Sequence, residues 1–262
     1  MTTLKRAPQA MSMPPFAPMY SYGTENVLLQ GVMFTYETKP KIVEQVLPKP
    51  LRPSTEPLVT AWFSYFIDPV VHLPGGGEEK MTSYTEFGFD IECEYEGVKG
   101  NYQLLHFITG LGHGFSGREI SGVPKKQAQD ISITQIYDEV MCSATNTVGE
   151  KIITAKSKLT KAIAFRETWP RPSFCLKIIP RADGKGYDVN KLVRIDTKLT
   201  NLRNIRTGTG EIEFKKSTVD PLHLIQVVKV REVISCLANM QGLGRQYLCK
   251  VDEFPTFGIP AW

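Results

Sequence analysis

The sequence predicts a mainly β fold of the α+β kind, an antiparallel, barrel-like sheet carrying a few short helices. Runs of branched and aromatic residues follow one another from Glu25 to Arg231 and far outnumber helical patterns. The 21 glycines and 18 prolines suit many turns. With 42% hydrophobic and 22% charged residues, the chain can bury a sizeable core and does not read as disordered. Closing such a sheet would remove its exposed edges, and the interior would offer an apolar cavity for a small ligand.

Residues 1–24, with Pro8, Pro14, Pro15 and Pro18 and little periodicity, read as an N-terminal arm, and residues 25–262 as one domain. Asn26–Tyr36 is strand-like. A short helix follows Pro40, with Ile42, Val43, Val46 and Leu47 on one face and Pro48 closing it. Further strands are expected at Pro57–Ile67, Met81–Tyr95, Lys99–Thr109, Ile131–Ala144, Lys151–Phe165, Phe174–Arg181, Lys191–Arg206, Gly210–Lys216 and Leu222–Arg231, and a helix at Ser235–Met240. Asp183, Gly184 and Gly186 mark a hairpin turn. Gly75, Gly76 and Gly77 form a glycine-rich loop, but a strand-like segment follows them, and a phosphate cradle requires a helix there.

The net charge of +4 is mild and the basic residues are dispersed, so no nucleic-acid partner is expected. No apolar run is long enough to span a membrane, and the basic N-terminus lacks the apolar stretch of a signal peptide. Cys93, Cys142, Cys175, Cys236 and Cys249 are odd in number and widely spaced, which suits reduced thiols in the cytoplasm better than disulfides or a zinc site. His72, His106, His113 and His223 are scattered, without the spacing of a metal ligand set, and read as satisfied or exposed side chains. No metal and no cofactor are expected.

The segment that stands out is Gly117–Lys126, GREISGVPKK. On composition alone a Lys-Lys pair after a proline is a solvated turn. The segment resembles the signature of the acetoacetate decarboxylase family, in which Gly-Arg-Glu precedes Pro-Lys-Lys. YETKPKIVEQVLPKPL, EPLV, SYTE ending at Glu86, GVKGNY and FCLKIIPRADG resemble further segments of that family in the same order, over residues 10–250 and more loosely after Ile205. The resemblance implies an acetoacetate decarboxylase-like barrel and a homo-oligomer. It also implies that Lys125 forms an imine with a substrate ketone, that Lys126 is the neighbour credited with lowering the pKa of that amine, and that Glu86 sits beside the reacting carbon.

An amine attacks a carbonyl only as the free base. Bringing a lysine from its usual pKa of about 10.4 to near neutrality costs about 5 kcal/mol. The acetoacetate decarboxylases are themselves the standard instance of a lysine so activated, and the idea is taken from them. Desolvation is expected to supply most of the shift. On extended backbone Lys125 and Lys126 leave on opposite faces, so Lys126 would turn away from the cavity, towards a carboxylate such as Glu119.

Two positions depart from the family. Its carboxylate-handling arginine falls here on Leu29, and a second glutamate falls on Trp62. Leucine offers a carboxylate nothing, whereas an arginine fork is made for it, so a bulkier, less charged ketone suits this chain. Tyr84, two residues from Glu86, shares its face and reads as either a proton donor or a packed core tyrosine. Arg118 reads as either a substrate ligand or a local ion-pair partner. Three functions follow: a Schiff-base lyase decarboxylating a β-keto acid, an aldolase or dehydratase acting on a keto acid or enone through the same imine, and a silent β-barrel carrying an apolar ligand.

Overall fold

The computed structural model describes residues 22–164 and 171–252. Most of the arm expected at 1–24 lies outside the described residues, and Thr24 already belongs to the first strand.

The fold is a mixed, twelve-stranded sheet with short helical insertions. Strand β1 (Thr24–Glu37) runs between β12 (Lys229–Lys250) and β3 (Leu58–His72), antiparallel to both. The sheet continues from β3 to β5 (Tyr84–Tyr95) and β6 (Val98–Ile108). Strands β7 (Lys125–Ile136), β8 (Glu139–Asn146) and β9 (Lys151–Ala162) form a meander that joins β11 (Tyr187–Phe214) and through it β12. Strand β10 (Ser173–Pro180) pairs with β11 across the Asp183–Gly184 turn, as the sequence indicates. Two short strands, β2 (Arg52–Pro53) and β4 (Glu78–Lys80), extend β5 and β3. Helix α1 (Pro40–Val46) buries Ile42, Val43 and Val46.

The sheet is barrel-like, as the sequence predicts, without closing into a regular barrel, and not all of its pairing is antiparallel. Strand β6 pairs in parallel with β7 and with β10. The β6–β7 contact spans only the pairs His106–Lys125, Phe107–Lys126 and Ile108–Gln127, because β7 begins where β6 ends. Parallel neighbours need a crossover, and here it is helix α2 (Leu111–Ser116) followed by a π-helical turn at Gly117–Ser121.

Four sequence expectations are corrected. Ile131–Ala144 is two strands, β7 and β8, joined at Tyr137, which takes a left-handed φ of 52° with no glycine to announce the turn. Lys191–Arg206 and Gly210–Lys216 are one continuous strand. Gly208 lets β11 approach β9 where a Cβ would lie 1.8 Å from the Lys158 carbonyl oxygen, so it marks close contact and not a break. Ser235–Met240 is strand, and Leu222–Leu224 is a 3-10 turn. Leu237, Ala238 and Met240 favour helix in isolation, but β1 and β11 on either side take up the backbone groups of β12. Gly75–Gly77 closes a turn from β3 to β4, all three with positive φ, and strand follows it.

Alternation along the strands gives the sheet two unlike faces. Phe63, Phe87 and Phe107 occupy successive register positions on one face and, with Phe34 two positions along β1, are fully buried in the main core. Phe63 stacks on Phe87 at 4.8 Å and meets the edge of Phe34 at 6.5 Å. Phe63→Ala is expected to cost about 3–5 kcal/mol in urea denaturation, and Met141→Ala, at a half-exposed side chain, less than about 0.5 kcal/mol.

Candidate active site

The opposite face carries the polar residues. Register aligns Met33, Trp62, Gly88, His106 and Lys125 in one row across β1, β3, β5, β6 and β7. Along β5, Glu86, Gly88, Asp90 and Glu92 alternate with the core residues Phe87, Phe89 and Ile91. This face walls a cavity of about 1000 Å³. The sequence suggested an apolar chamber. Its walls instead hold Glu25, Glu86, Asp90, Glu92 and His106 beside Leu29, Met33 and Phe66.

Lys125 opens β7, the side chain only 11% exposed, and its Nζ donates to Glu86 Oε2 at 3.1 Å. Glu86 Oε1 lies 2.7 Å from His106 Nδ1, and His106 Nε2 lies 3.0 Å from Asp90 Oδ1. Asp90 Oδ2 accepts from Trp62 Nε1 at 2.8 Å. Amine, carboxylate, imidazole, carboxylate and indole thus form one connected chain. Burial pushes the Glu86 carboxyl up, but Lys125 and the hydrogen bond and charge of His106 outweigh it and hold the group at about 2. Burial pushes His106 down, yet its hydrogen bonds to Asp90 and Glu86 raise it to about 9. At neutral pH this chain presents a carboxylate and an imidazolium locked together.

Two glycines make room for these groups. A Cβ on Gly117 would come within 2.9 Å of Lys125 Cδ and Cε, and one on Gly88 within 2.1 Å of the Trp62 ring. The indole therefore lies flat over Gly88 and meets His106 edge-on at 5.1 Å.

The other residues singled out from the sequence fall into two groups. Leu29, Trp62 and Tyr84 line the cavity with Lys125 and Glu86. Tyr84 stacks on Phe66 at 4.5 Å, and its ring centroid is 5.7 Å from Lys125 Nζ. Arg118 and Lys126 do not line the cavity. Arg118 is exposed and donates to the Lys125 carbonyl oxygen at 2.7 Å, tying the crossover to the first residue of β7. Lys126 leaves β7 on the phenylalanine side, 5.8 Å from the Phe107 ring, and pairs with the buried Asp220, where the sequence pointed to Glu119. Asn146 Nδ2 donates to the second oxygen of Asp220 at 2.9 Å.

Sequence reasoning set His106 aside and did not single out Glu25, Asp90 or Arg245, all of which line the cavity. A signal existed for Asp90: acids alternating with aromatics along β5 put Glu86 and Asp90 on one face. His106 needed the β5–β6 register, which places it opposite Gly88 between those acids. Among the described residues no group of three or more His, Cys, Asp or Glu side chains is arranged to hold a metal ion.

The family model described as acetoacetate decarboxylase matches residues 7–250 of this chain. A protein named acetoacetate decarboxylase from Burkholderia cenocepacia is 31% identical over 249 residues, covering 90% of this chain and 93% of its own. The solved structure of acetoacetate decarboxylase from Legionella pneumophila superposes with a TM-score of 0.79 at 22% identity, covering 92% of this chain and 93% of that one. The enduracididine biosynthesis enzyme MppR, solved with the condensation product of pyruvate and imidazole 4-carboxaldehyde, superposes with a TM-score of 0.77 at 15% identity, covering 93% and 98%.

Two outcomes are expected from this geometry. His106, raised above its ordinary 6.5, adds stability that is complete below that pH and lost as pH rises through about 9. Glu86, lowered from 4.5, adds stability that is complete above that pH and lost as pH falls through about 2. Urea denaturation should therefore find His106→Gln well below the parent protein at about pH 6, with the gap narrowing towards about pH 9.5; a constant gap would contradict a charged imidazole. Asp220→Ala strands the Lys126 head and Asn146 and should cost about 2–3 kcal/mol, the low end for a broken buried pair because Lys126 is 41% exposed.

Proposed function

The chain belongs to the acetoacetate decarboxylase family, and from that premise we propose that it is a lyase whose Lys125 forms a Schiff base with a small keto acid and releases CO₂ from a β-keto acid. The observation that carries this reading is the position of Lys125 Nζ, little exposed on the wall of a cavity and 3.1 Å from a carboxylate that stays ionised.

In this reading the amine condenses with the substrate ketone, water leaves, and a protonated imine remains on Lys125. The carbon–carbon bond to the carboxylate then breaks, its electron pair moves into the iminium, and CO₂ departs to leave an enamine. Protonation of the enamine carbon and addition of water return the ketone and the lysine. Glu86 serves as the counter-charge of the iminium, and His106 and Asp90 keep it aimed and ionised. Tyr84 faces the same space. Arg245, which donates to Ser121 Oγ at 2.6 Å, brings a guanidinium to the cavity for the substrate carboxylate that Leu29 does not meet. Lys126, across the strand and paired with Asp220, fixes the course of β7 without reaching substrate.

A second reading, aldol or dehydration chemistry through the same imine, is favoured by Leu29 and Trp62 at the two departures from the family pattern. The likeness in fold to MppR, with its bound condensation product, is in keeping with it.

Incubation with acetoacetate or acetopyruvate followed by borohydride should add mass to Lys125. Lys125→Ala should fold and lose turnover by about a thousandfold or more. Release of CO₂ supports decarboxylation, whereas loss of a 2-keto acid with gain of an enone supports the second reading. No adduct on Lys125 with any small ketone at neutral pH would leave a ligand carrier as the better description.

A further inference from the structure

The Schiff-base reading needs a group that hands a proton to carbon, and Glu86 is poorly suited: Lys125 and His106 engage both its oxygens and keep it ionised. Glu25 is another carboxyl of the cavity wall. It lies on β1, one residue into the strand, and lines the same cavity. It shares a hydrogen bond with Tyr84, the residue whose ring lies beside Lys125 Nζ. Its Oε1 is buried without a hydrogen-bond partner among the described residues. A buried carboxyl oxygen left unpaired costs stability, and a cavity holding one is completed by a ligand that supplies a partner.

We propose that Glu25, coupled to the Tyr84 hydroxyl, is the acid–base group that exchanges a proton with the reacting carbon of the Lys125 enamine. In the decarboxylation sequence, the Lys125 ammonium releases a proton, the free amine adds to the ketone, and the proton is taken up again as water leaves to give the iminium; loss of CO₂ then leaves the neutral enamine. The enamine double bond then takes the Glu25 carboxyl proton at carbon, so that nitrogen becomes iminium again and Glu25 a carboxylate. Water releases the ketone and the lysine ammonium, and Glu25 regains one proton from solvent, the one proton the overall reaction consumes. In aldol or dehydration chemistry the same carboxylate removes that proton from the iminium.

The surroundings fit this duty. Burial raises the Glu25 carboxyl, Glu86 adds to the rise, and Lys125, Arg245 and the Tyr84 hydrogen bond only partly offset it. His72, on the neighbouring strand, is engaged by Asn26 at 2.7 Å and Glu78 at 3.2 Å. A carboxyl kept protonated further towards neutrality is the one matched to general acid work.

The inference rests on the Schiff-base reading, and the test separates the two. Acetone in D₂O exchanges its methyl hydrogens through the iminium and enamine alone, with no decarboxylation. In Glu25→Gln the borohydride-trapped adduct on Lys125 should persist, while deuterium exchange falls about a hundredfold or more. Exchange in the parent protein should rise with pH through the ionisation of Glu25, because the carboxylate takes the proton from the iminium, and the variant's residual exchange should lack that limb. Tyr84→Phe, a second variant, should lower exchange about tenfold, the worth of one hydrogen bond, and move the limb to higher pH because Tyr84 lowers the Glu25 pKa. Undiminished exchange in Glu25→Gln with the adduct present overturns the role of Glu25, as does an unmoved limb in Tyr84→Phe should the first variant fail to fold. Absence of an adduct in the parent protein overturns the Schiff base itself.

Discussion

Glu86 lies in the interior with a lysine amine at one oxygen and an imidazole at the other. A carboxylate so placed stays ionised only while those partners hold their distance, because burial alone would protonate it. The imidazole in turn stays charged because Asp90 faces its far nitrogen and Glu86 its near one. Each member answers the desolvation cost of the next, and the chain ends on the neutral indole of Trp62. Four strands must keep register for this to happen, since Trp62 comes from β3, Glu86 and Asp90 from β5, His106 from β6 and Lys125 from β7.

The division of the sheet into two faces makes such precision affordable. On one side the stacked phenylalanines remove backbone freedom from β3, β5 and β6. On the other, the same strands present acids, an imidazole and an amine to a hollow. Lys125 and Lys126 show the rule at its sharpest: one peptide bond separates a side chain facing the cavity from one pairing with Asp220 beside the core. The parallel stagger of β6 and β7 puts the lysine at the start of its strand, where Arg118 also clasps its carbonyl oxygen.

Much of this was legible in the sequence, for reasons that can be named. Strands with clean alternation and glycine turns, such as β5 and the β10–β11 hairpin, show themselves through side-chain period and turn chemistry. The opposite directions of Lys125 and Lys126 follow from extended backbone alone. What stayed hidden depends on pairing between distant segments. The turn at Tyr137 uses a left-handed tyrosine that no composition rule marks. The strand at Ser235–Met240 overrides local preference because neighbours on both sides supply its hydrogen bonds. His106 becomes meaningful only when β5 is laid beside β6, and Glu25 only when β1 is brought to the cavity that β5 and β7 line.

The flat seating of the Trp62 indole on Gly88 makes these two positions a single unit of inheritance. A smaller residue at position 62 alone would open a hollow above the glycine and strip Asp90 of its indole donor. Any larger residue at position 88 would in turn evict the ring. The two positions can therefore accept other side chains only when both are changed together.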